Sequence, residues 1–532
     1  MASIGSLSRA VSGLMANQRA LNATAHNLSN VDTQGFVRQQ VLFKDSSYVG
    51  IGNNFQVGLG TDIQSLRQVR DIFLDRAYRD EAGRLGFYDS KYQAVAELEI
   101  VFGEIGGESF STVLDDLWKS INELSKHPEG LETRGTFVQS ATMFINRVNL
   151  ISNQMNDYQM NLNTQVVDMV KEINGLGDTI HQLNEAICKY EAYGDNANDL
   201  RDQRNNALDR LSYLVDITYR EDATGKVSVN IEGMNFVSNG RVSHLGLEQA
   251  EPNSPMVKPV WKEYDKDLFS FHKEIKPEND NDKGALKGLL LARGTRAANY
   301  TDLENAEHYN KNIKPSVVMN AQAQFDKLVN GIVTLINDTL APNKDGVLDD
   351  EAPYGLDGSR GTEIFKRQHY NRYDADGNVI GTDNTDIYTL YTSGNIIVNP
   401  AILQDYDKIA LSKVNGAIGD NSIIEKLINN WNKPFGALEP GATSQMNFNE
   451  YYASFISGLG NTGNLAINMQ KNQQIMVNQI DNQRSQLMGV SSDEELGNMM
   501  KYQHAYNANA KVVNAIDEMM EHIITRVGIV GR

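Results

Sequence analysis

Phe144, Val148, Ile151, Met155, Tyr158, Leu162, Val166, Met169, Ile173, Leu176, Ile180, Leu183, Ile187 and Tyr190 follow one another at steps of three and four. That spacing lines them along one face of a single helix. At about 1.5 Å per residue the stretch 144–190 makes a rod of roughly 70 Å, too long for a compact domain, so the fold must be extended. Two shorter seams are available to lie along it: Val318, Ala321, Phe325, Leu328, Ile332 and Leu335, and a weaker one over 465–488 with Met469, Met476, Ile480 and Leu487. The expected scaffold is an elongated bundle of long helices.

Both ends of the chain carry the same period. Ile4, Leu7, Val11, Leu14, Leu21, Ala25 and Leu28 step by three and four, with polar Gln18 in the one missing place. Between Met1 and Val31 only Arg9 and Arg19 are charged, whereas a composition of 22% charged residues leads one to expect about seven. This helix has no ordinary solvated face. Its other positions are mostly Ala, Ser, Asn and Gly, so it is marginal alone and is expected to order when a partner covers it. At the other end Ser491 and Ser492 stand three residues before Glu494 and Glu495, a capping-box pattern that starts a helix. From Met499 its seam runs Tyr502, Tyr506, Asn509, Val513, Ile516, Met520, Ile523 and Val527, with Gly528 as a stop.

Other segments have a different texture. Residues 217–250 alternate, as in Val227, Val229 and Ile231, with turns at Thr224-Gly225 and Asn239-Gly240. Residues 341–445 are rich in Asp, Asn, Gly and Tyr and include the strand-like run Ile387–Tyr391. The fold class expected is mainly α with inserted β domains, an α+β chain in which N- and C-terminal coiled-coil helices pair. Its expected division is 1–45 plus 490–532 as the terminal unit, 46–216 plus 296–340 plus 446–489 as the long helical bundle, 217–295 as a small β domain, and 341–445 as an inserted outer β-rich domain.

The chemistry-bearing motifs are thin. A net charge of −19 argues against nucleic acid as partner. One cysteine, Cys188, makes neither an internal disulfide nor a thiolate zinc site by itself, and it reads as a partly buried thiol. No apolar run reaches transmembrane length, so no membrane partner is expected, and the N-terminus lacks the apolar block of a secretory signal. Gly458, Gly460 and Gly463 fit G-x-G-x-x-G without a preceding strand and read as a flexible turn between helices. Asp374, Asp376 and Gly377 resemble part of a calcium loop, but Arg372 stands at its first ligand position, and a β-turn is the better reading. Asn343, Asp345 and Gly346 fail similarly. An enzyme grafted into 341–445, such as a peptidoglycan hydrolase or a metal-dependent protease, would draw on His369 and on carboxylates including Asp349, Asp350, Glu351 and Glu363; carboxylate pairs can do glycosidase work at the right separation, but acidic loops are common and the solvated surface is the better reading. No catalytic, cofactor or metal residues are assigned, and the chain is not read as an enzyme.

The segment ALNATAHNLSNVDTQGFVRQQV (20–41) resembles the N-terminal signature of bacterial flagellar axial proteins, through Ala20, Leu21, Asn27, Asn30, Thr33, Gly35 and Arg38, with Phe36 where Tyr is usual. Residues 490–524 resemble the matching C-terminal signature through Glu495, Tyr502, Gln503, Tyr506, Ala508, Ala510, Lys511, Asp517, Glu518 and Met519. The GFVRQ ending, NDLRDQRNNALDRLSYLV (198–215) and GALKGLLLARG (284–294) are most similar to the hook-associated members of that family.

The resemblance implies a structural protein of the bacterial flagellum, without cofactors, forming a junction layer between hook and filament and templating the filament. A hook or distal rod protein is the alternative. It further implies export through the flagellar type III apparatus without a cleavable signal peptide, with a chaperone, and an extracellular location. The implied partners are further copies in a ring-like homo-oligomer, the hook protein and the next hook-associated protein towards the filament. The expected assembly interface comprises Leu7, Leu14, Gln18, Leu21, Asn27, Leu28, Asn30, Gly35, Arg38, Tyr506, Asn509, Val513, Ile516, Met520 and Ile523. Within it Leu7, Leu14, Leu21 and Leu28 are expected to face Val513, Ile516, Met520 and Ile523, with Gln18 and Asn509 setting register.

Overall fold

The computed structural model describes residues 2–50, 56–103, 109–238, 240–271, 273–384 and 386–527; Asn239 of the second turn, the stop at Gly528 and the tail after Val527 lie outside the described residues. Helix α1 (Ala2–Ser29) leads into a hairpin in which β1 (Gln39–Asp45) pairs antiparallel with β4 (Thr61–Gln68), extended by β2 (Tyr48–Gly50) and β3 (Gln56–Gly58). Four helices follow, α2 (Ile72–Phe102), α3 (Phe110–Lys126), α4 (Leu131–Glu191) and α5 (Asn198–Leu214). Next come a four-stranded meander, β5 (Ile217–Glu221), β6 (Val227–Ile231), β7 (Met234–Ser238) and β8 (Arg241–Val242), and a three-stranded one, β9 (Leu245–Gln249), β10 (Val257–Trp261) and β11 (Lys266–Asp267).

The chain returns to the bundle in α6 (Ala285–Arg293), the single turn α7 (Ala306–His308) and α8 (Val317–Leu340). A largely irregular stretch then carries β12 (Asn343–Lys344), β13 (Val347–Leu348), β14 (Phe365–Arg367), β15 (Ile396–Val398), α9 (Pro400–Gln404) and α10 (Ser422–Trp431). Helices α11 (Phe448–Met488) and α12 (Ser492–Val527) close the chain.

The 61 residues of α4 make a rod of about 90 Å. Phe144, Val148, Ile151, Met155, Leu162, Val166, Ile173, Ile180 and Ile187 are all buried along it. Its apolar stripe meets α3 and α5, and one continuous core runs from Val95 in α2 to Leu459 in α11. Asparagines on α4 add something that the period does not reveal. The Asn184 side chain accepts from Val227 N at 3.0 Å and donates to Val227 O at 2.8 Å. Asn174 does the same for Leu245, at 2.9 and 3.1 Å. Asn163 accepts from Val257 N and donates to Pro255 O, and Asn149 accepts from Gly394 N and donates to Ile396 O. Each amide serves backbone at the edge of a β segment, so the β material hangs on the rod by hydrogen bonds that a neighbouring strand would otherwise supply. At Gly177 a Cβ would stand 2.5 Å from Phe236 Cζ, so only glycine lets β7 lie this close to the helix.

Several expectations are corrected. Gly458, Gly460 and Gly463 are no turn between helices: they lie inside the continuous α11. Gly463 is where α11 comes close to α2, since a Cβ there would meet the Glu99 carboxylate at 2.5 Å. The seam read over 465–488 is not the packed one either. Met469, Met476 and Leu487 are exposed and Ile480 half-buried, while Gly463, Ala466, Gln473, Val477 and Met488 face inward. Small residues there allow a close approach that the larger ones would block.

The run Ile387–Tyr391 is not a strand, because Ile387–Thr389 form a 3-10 turn. Arg367, fully buried, holds this region by donating to the carbonyls of Thr389 at 2.6 Å, Asn371 at 2.7 Å and Ile380 at 3.0 Å. Asp374 does sit in a turn, its Oδ1 accepting from Asp376 N and Asn378 N. Asp345 and Gly346, both at positive φ, form the two-residue turn between β12 and β13.

Removing the Asn184 amide would strand the N–H and C=O of buried Val227. We expect Asn184→Ala to lower stability by about 2 kcal/mol, read as a shift of the urea midpoint at constant slope; a shift under about 0.5 kcal/mol would show that water replaces the amide.

Candidate assembly surface

Helices α1 and α12 lie side by side and antiparallel, with the end of α1 near the start of α12. The inner face of α1 is built from alanine: Ala10, Ala16, Ala20 and Ala23 are buried together with Thr24. Gly13 marks the closest approach, since a Cβ there would lie 2.9 Å from the Asn509 amide nitrogen. Asn509 bonds back to Ala505 O at 3.0 Å.

This geometry revises the expected pairing. Leu7, Leu14, Leu21 and Leu28 are all half-buried, not sealed between the two helices, and Gln18 is exposed. With Gly13 opposite Asn509 and equal rise along both helices, Leu7 comes level with Val513 and Ile516. Leu14, Leu21 and Leu28 lie alongside the earlier half of α12. Ile516 is buried, while Tyr506, Asn509, Val513 and Met520 are half-buried. Ile523 and Ile524 are 55% and 70% exposed and reach beyond the start of α1. The pair therefore keeps an unburied apolar flank on both helices, the form expected of a surface awaiting another chain.

The segment after α1 is shaped by the residues of the N-terminal signature. Asn27 is buried and makes two backbone bonds to Gln39, accepting from its N–H at 3.0 Å and donating to its C=O at 2.9 Å. Asn30 donates to His26 O, and Thr33 Oγ1 donates to Asn30 Oδ1. Gly35 has φ +76°, and a Cβ there would fall 1.9 Å from Asn206 Oδ1. Any other residue would be strained in this left-handed conformation and would have to push the Asn206 side chain aside. Arg38 then reaches α12, its Nε 2.8 Å from Glu495 and its NH1 2.8 Å from Glu494. Glu495 is fully enclosed, so Arg38 joins the two ends of the chain by a buried charge pair. Arg38 also joins main chains, donating its N–H to Met488 O and accepting from Val69 N.

A second set of charges, missed by sequence reasoning, ties this unit to the bundle. Asp202 on α5 accepts from Val37 N at 3.1 Å and from the Gln68 amide at 2.7 Å. Arg70 bridges Asp202 and Asp75 at 3.3 and 2.6 Å. Arg484 on α11 bridges Asp75 and Asp209 at 2.9 and 2.8 Å and stacks over Tyr78. Arg79 also meets Asp209 at 2.6 Å. The only signal in the sequence was the density of Asn, Asp and Arg in 198–205, which has no periodicity of its own. Burial pushes the Asp202 carboxyl up to about 6, against the bonds from Val37 and Gln68 and the Arg70 charge. Among the described residues no three His, Cys, Asp or Glu side chains converge to hold a metal ion, and no helix is long and apolar enough to cross a membrane.

Residues 95–365 match the family model of the flagellar hook-associated protein FlgK helical domain. Residues 7–36 match that of the flagella basal body rod protein, and 487–526 that of the C-terminal region of the flagellar basal body rod FlgEFG proteins. Flagellar hook-associated protein 1 of Bacillus subtilis (strain 168) is 28% identical, the alignment covering 98% of this chain and 97% of that protein. Its counterpart in Escherichia coli (strain K12) is 24% identical over 97% and 99%. In fold the chain is similar to the flagellar hook junction protein FlgK from Burkholderia pseudomallei, with a TM-score of 0.56 and 14% identity over 78% of this chain and 100% of that one.

Arg38→Ala would leave the Glu495 carboxylate enclosed without its cation. We expect it to weaken docking of α12 by about 3 kcal/mol, seen as faster amide exchange and proteolysis around 489–500 with α4 unchanged; unaltered protection there would show that Arg38 is dispensable. For Asp202 the folded value lies above the unfolded one, so the fold favours the protonated form. Its contribution is fully present below about pH 4 and is lost as pH rises through 6. Asp202→Asn should therefore flatten the decline of stability between pH 4 and 6, and an unchanged slope would refute the assignment.

Proposed function

This chain belongs to the flagellar hook-associated protein FlgK family, and from that premise we propose how the molecule acts as a structural subunit of the bacterial flagellum at the junction between hook and filament. The observation that carries the reading is the α1–α12 pair, nearly free of charge on α1 and with its larger apolar residues half-exposed. In a ring-like layer of copies those flanks pack against neighbouring pairs. Leu7, Leu14, Leu21, Leu28, Val513, Met520 and Ile523 supply the contact, with Gln18, Tyr506 and Asn509 as polar points of register. Ile516 and the signature residues Asn27, Asn30, Gly35 and Arg38 hold the pair in shape.

The layer receives the hook protein on one side and the next hook-associated protein on the other, and the ordered ring templates the filament. The reading makes 1–45 plus 490–532 the assembly unit and 46–216 plus 296–340 plus 446–489 its rigid support. The strands β5–β11 of the unit 217–295, whose α6 belongs to the bundle, and the unit 341–445 lie on the outside, and none of them carries catalysis. Assembly and final ordering of the terminal helices are coupled, because each covers surface that the other leaves open. An export chaperone covers α12 before that, and the chain passes the type III apparatus without a cleavable signal.

A strain whose copy lacks residues 1–28 tests this beside a full deletion and a complemented control. The expected outcome is intact hooks, flagellin released unpolymerised into the medium, and no swimming. Missing hooks would move the protein to an earlier position, as rod or hook component, and normal swimming would overturn the role of α1.

A further inference from the structure

An anomaly of charge lies where the β1–β4 hairpin, the start of α2, α5 and β5 meet. A cavity of about 600 Å³ there is lined by six arginines, Arg67, Arg70, Arg76, Arg79, Arg201 and Arg220. Only two carboxylates, Asp75 and Glu221, share its wall. Both are already engaged, Asp75 with Arg70 and Arg484 and Glu221 with Arg201 and Arg204. Arg79 is satisfied by Asp209, and Arg201 also by Glu191. What remains is Arg76 and Arg220, both exposed and without an ion pair or hydrogen bond among the described residues, and Arg67, which reaches only the amide of Gln40 at 3.3 Å.

Cations are the scarcer charge in this chain, 49 Lys and Arg against 68 Asp and Glu. Gathering unpaired guanidinium groups around one hollow costs self-repulsion that an incoming anion relieves. The planar fork of arginine is suited to carboxylate oxygens, and 600 Å³ has room for side chains of a short peptide rather than a lone ion. We propose that this cavity receives a carboxylate-rich segment of a second copy of this chain, a contact between subunits separate from the terminal helices. A copy is the occupant favoured by charge, since a surface of net −19 offers acidic segments to a basic hollow. The second-copy assignment rests on the assembly proposed above; the binding of acidic peptide does not.

The test uses the purified full chain. Hexaglutamate, as a probe, is titrated into wild type, into Arg76→Glu/Arg220→Glu, and into Lys171→Glu on the exposed side of α4 as a control, with circular dichroism checking that each is folded. Wild type and the control should bind, more weakly as salt rises, and the double variant about tenfold more weakly or not at all. Sedimentation at high protein concentration should show self-association that low salt strengthens and the double variant lacks. No binding, or equal binding by the double variant, overturns the site while leaving the junction role intact. Inorganic phosphate bound as tightly as the peptide would make it a small-anion site, and peptide binding without self-association would assign it to a different acidic protein; either overturns the proposal. Arg67→Ala/Arg220→Ala repeats the comparison without reversing charge, should the first variant fold poorly.

Discussion

An amide side chain can offer a backbone residue both the acceptor and the donor that a neighbouring strand would offer, and α4 uses this along its length. Asn149, Asn163, Asn174 and Asn184 receive the edges of the β segments and of the irregular stretch that follows α8. The apolar stripe makes the rod and fills the core, but hydrophobic burial has no direction and does not fix where along 90 Å a small sheet settles. The asparagines do, because a misplaced sheet leaves buried polar groups without partners. On α8, Asn337 plays the same part towards Ile364 and Phe365.

The terminal unit is held on other terms. The buried face of α1 is alanine, and Gly13 brings it close to α12, so each position buries little area. What fixes it to the rest is charge taken out of water: Arg38 on Glu495, and the chain of Asp202, Arg70, Asp75, Arg484, Asp209 and Arg79. Buried pairs of this kind add little net stability compared with apolar packing, yet breaking one is costly. Such a joint is intolerant of small displacements, which suits a support that must present its helices in one orientation.

The parts that could be read from the chain were those with a period or a turn of fixed chemistry. The stripe of α4, the terminal helices, the start at Ser491 and the hairpin at Thr224-Gly225 follow from spacing alone. The packed face of α11 did not, because Met469 and Met476 make a better-looking seam than Gly463, Ala466 and Gln473, and only the close approach of α2 decides between them. The register of α1 against α12 was hidden for the same reason, since Gly13 marks the close approach to Asn509 and Ala16 and Ala20 are the buried positions, while the larger Leu14 and Leu21 are only half-buried. Ile387–Tyr391 has the composition of a strand, but the carbonyls that Arg367 collects bend it into a turn. The charge network left only the crowding of Asn, Asp and Arg in 198–205 as a sign in the sequence, since its other members come from α2, α11 and the loop between β4 and α2.

Helix α1 packs on α12, with more than four hundred residues between them. During synthesis, and during any later passage of the chain end to end, α1 is present long before its companion. The pair therefore depends on both of these distant segments: a chain cut short anywhere before Ser492 has α1 but lacks the helix that packs along it. The fold makes the α1–α12 surface conditional on a chain that runs past Ser492.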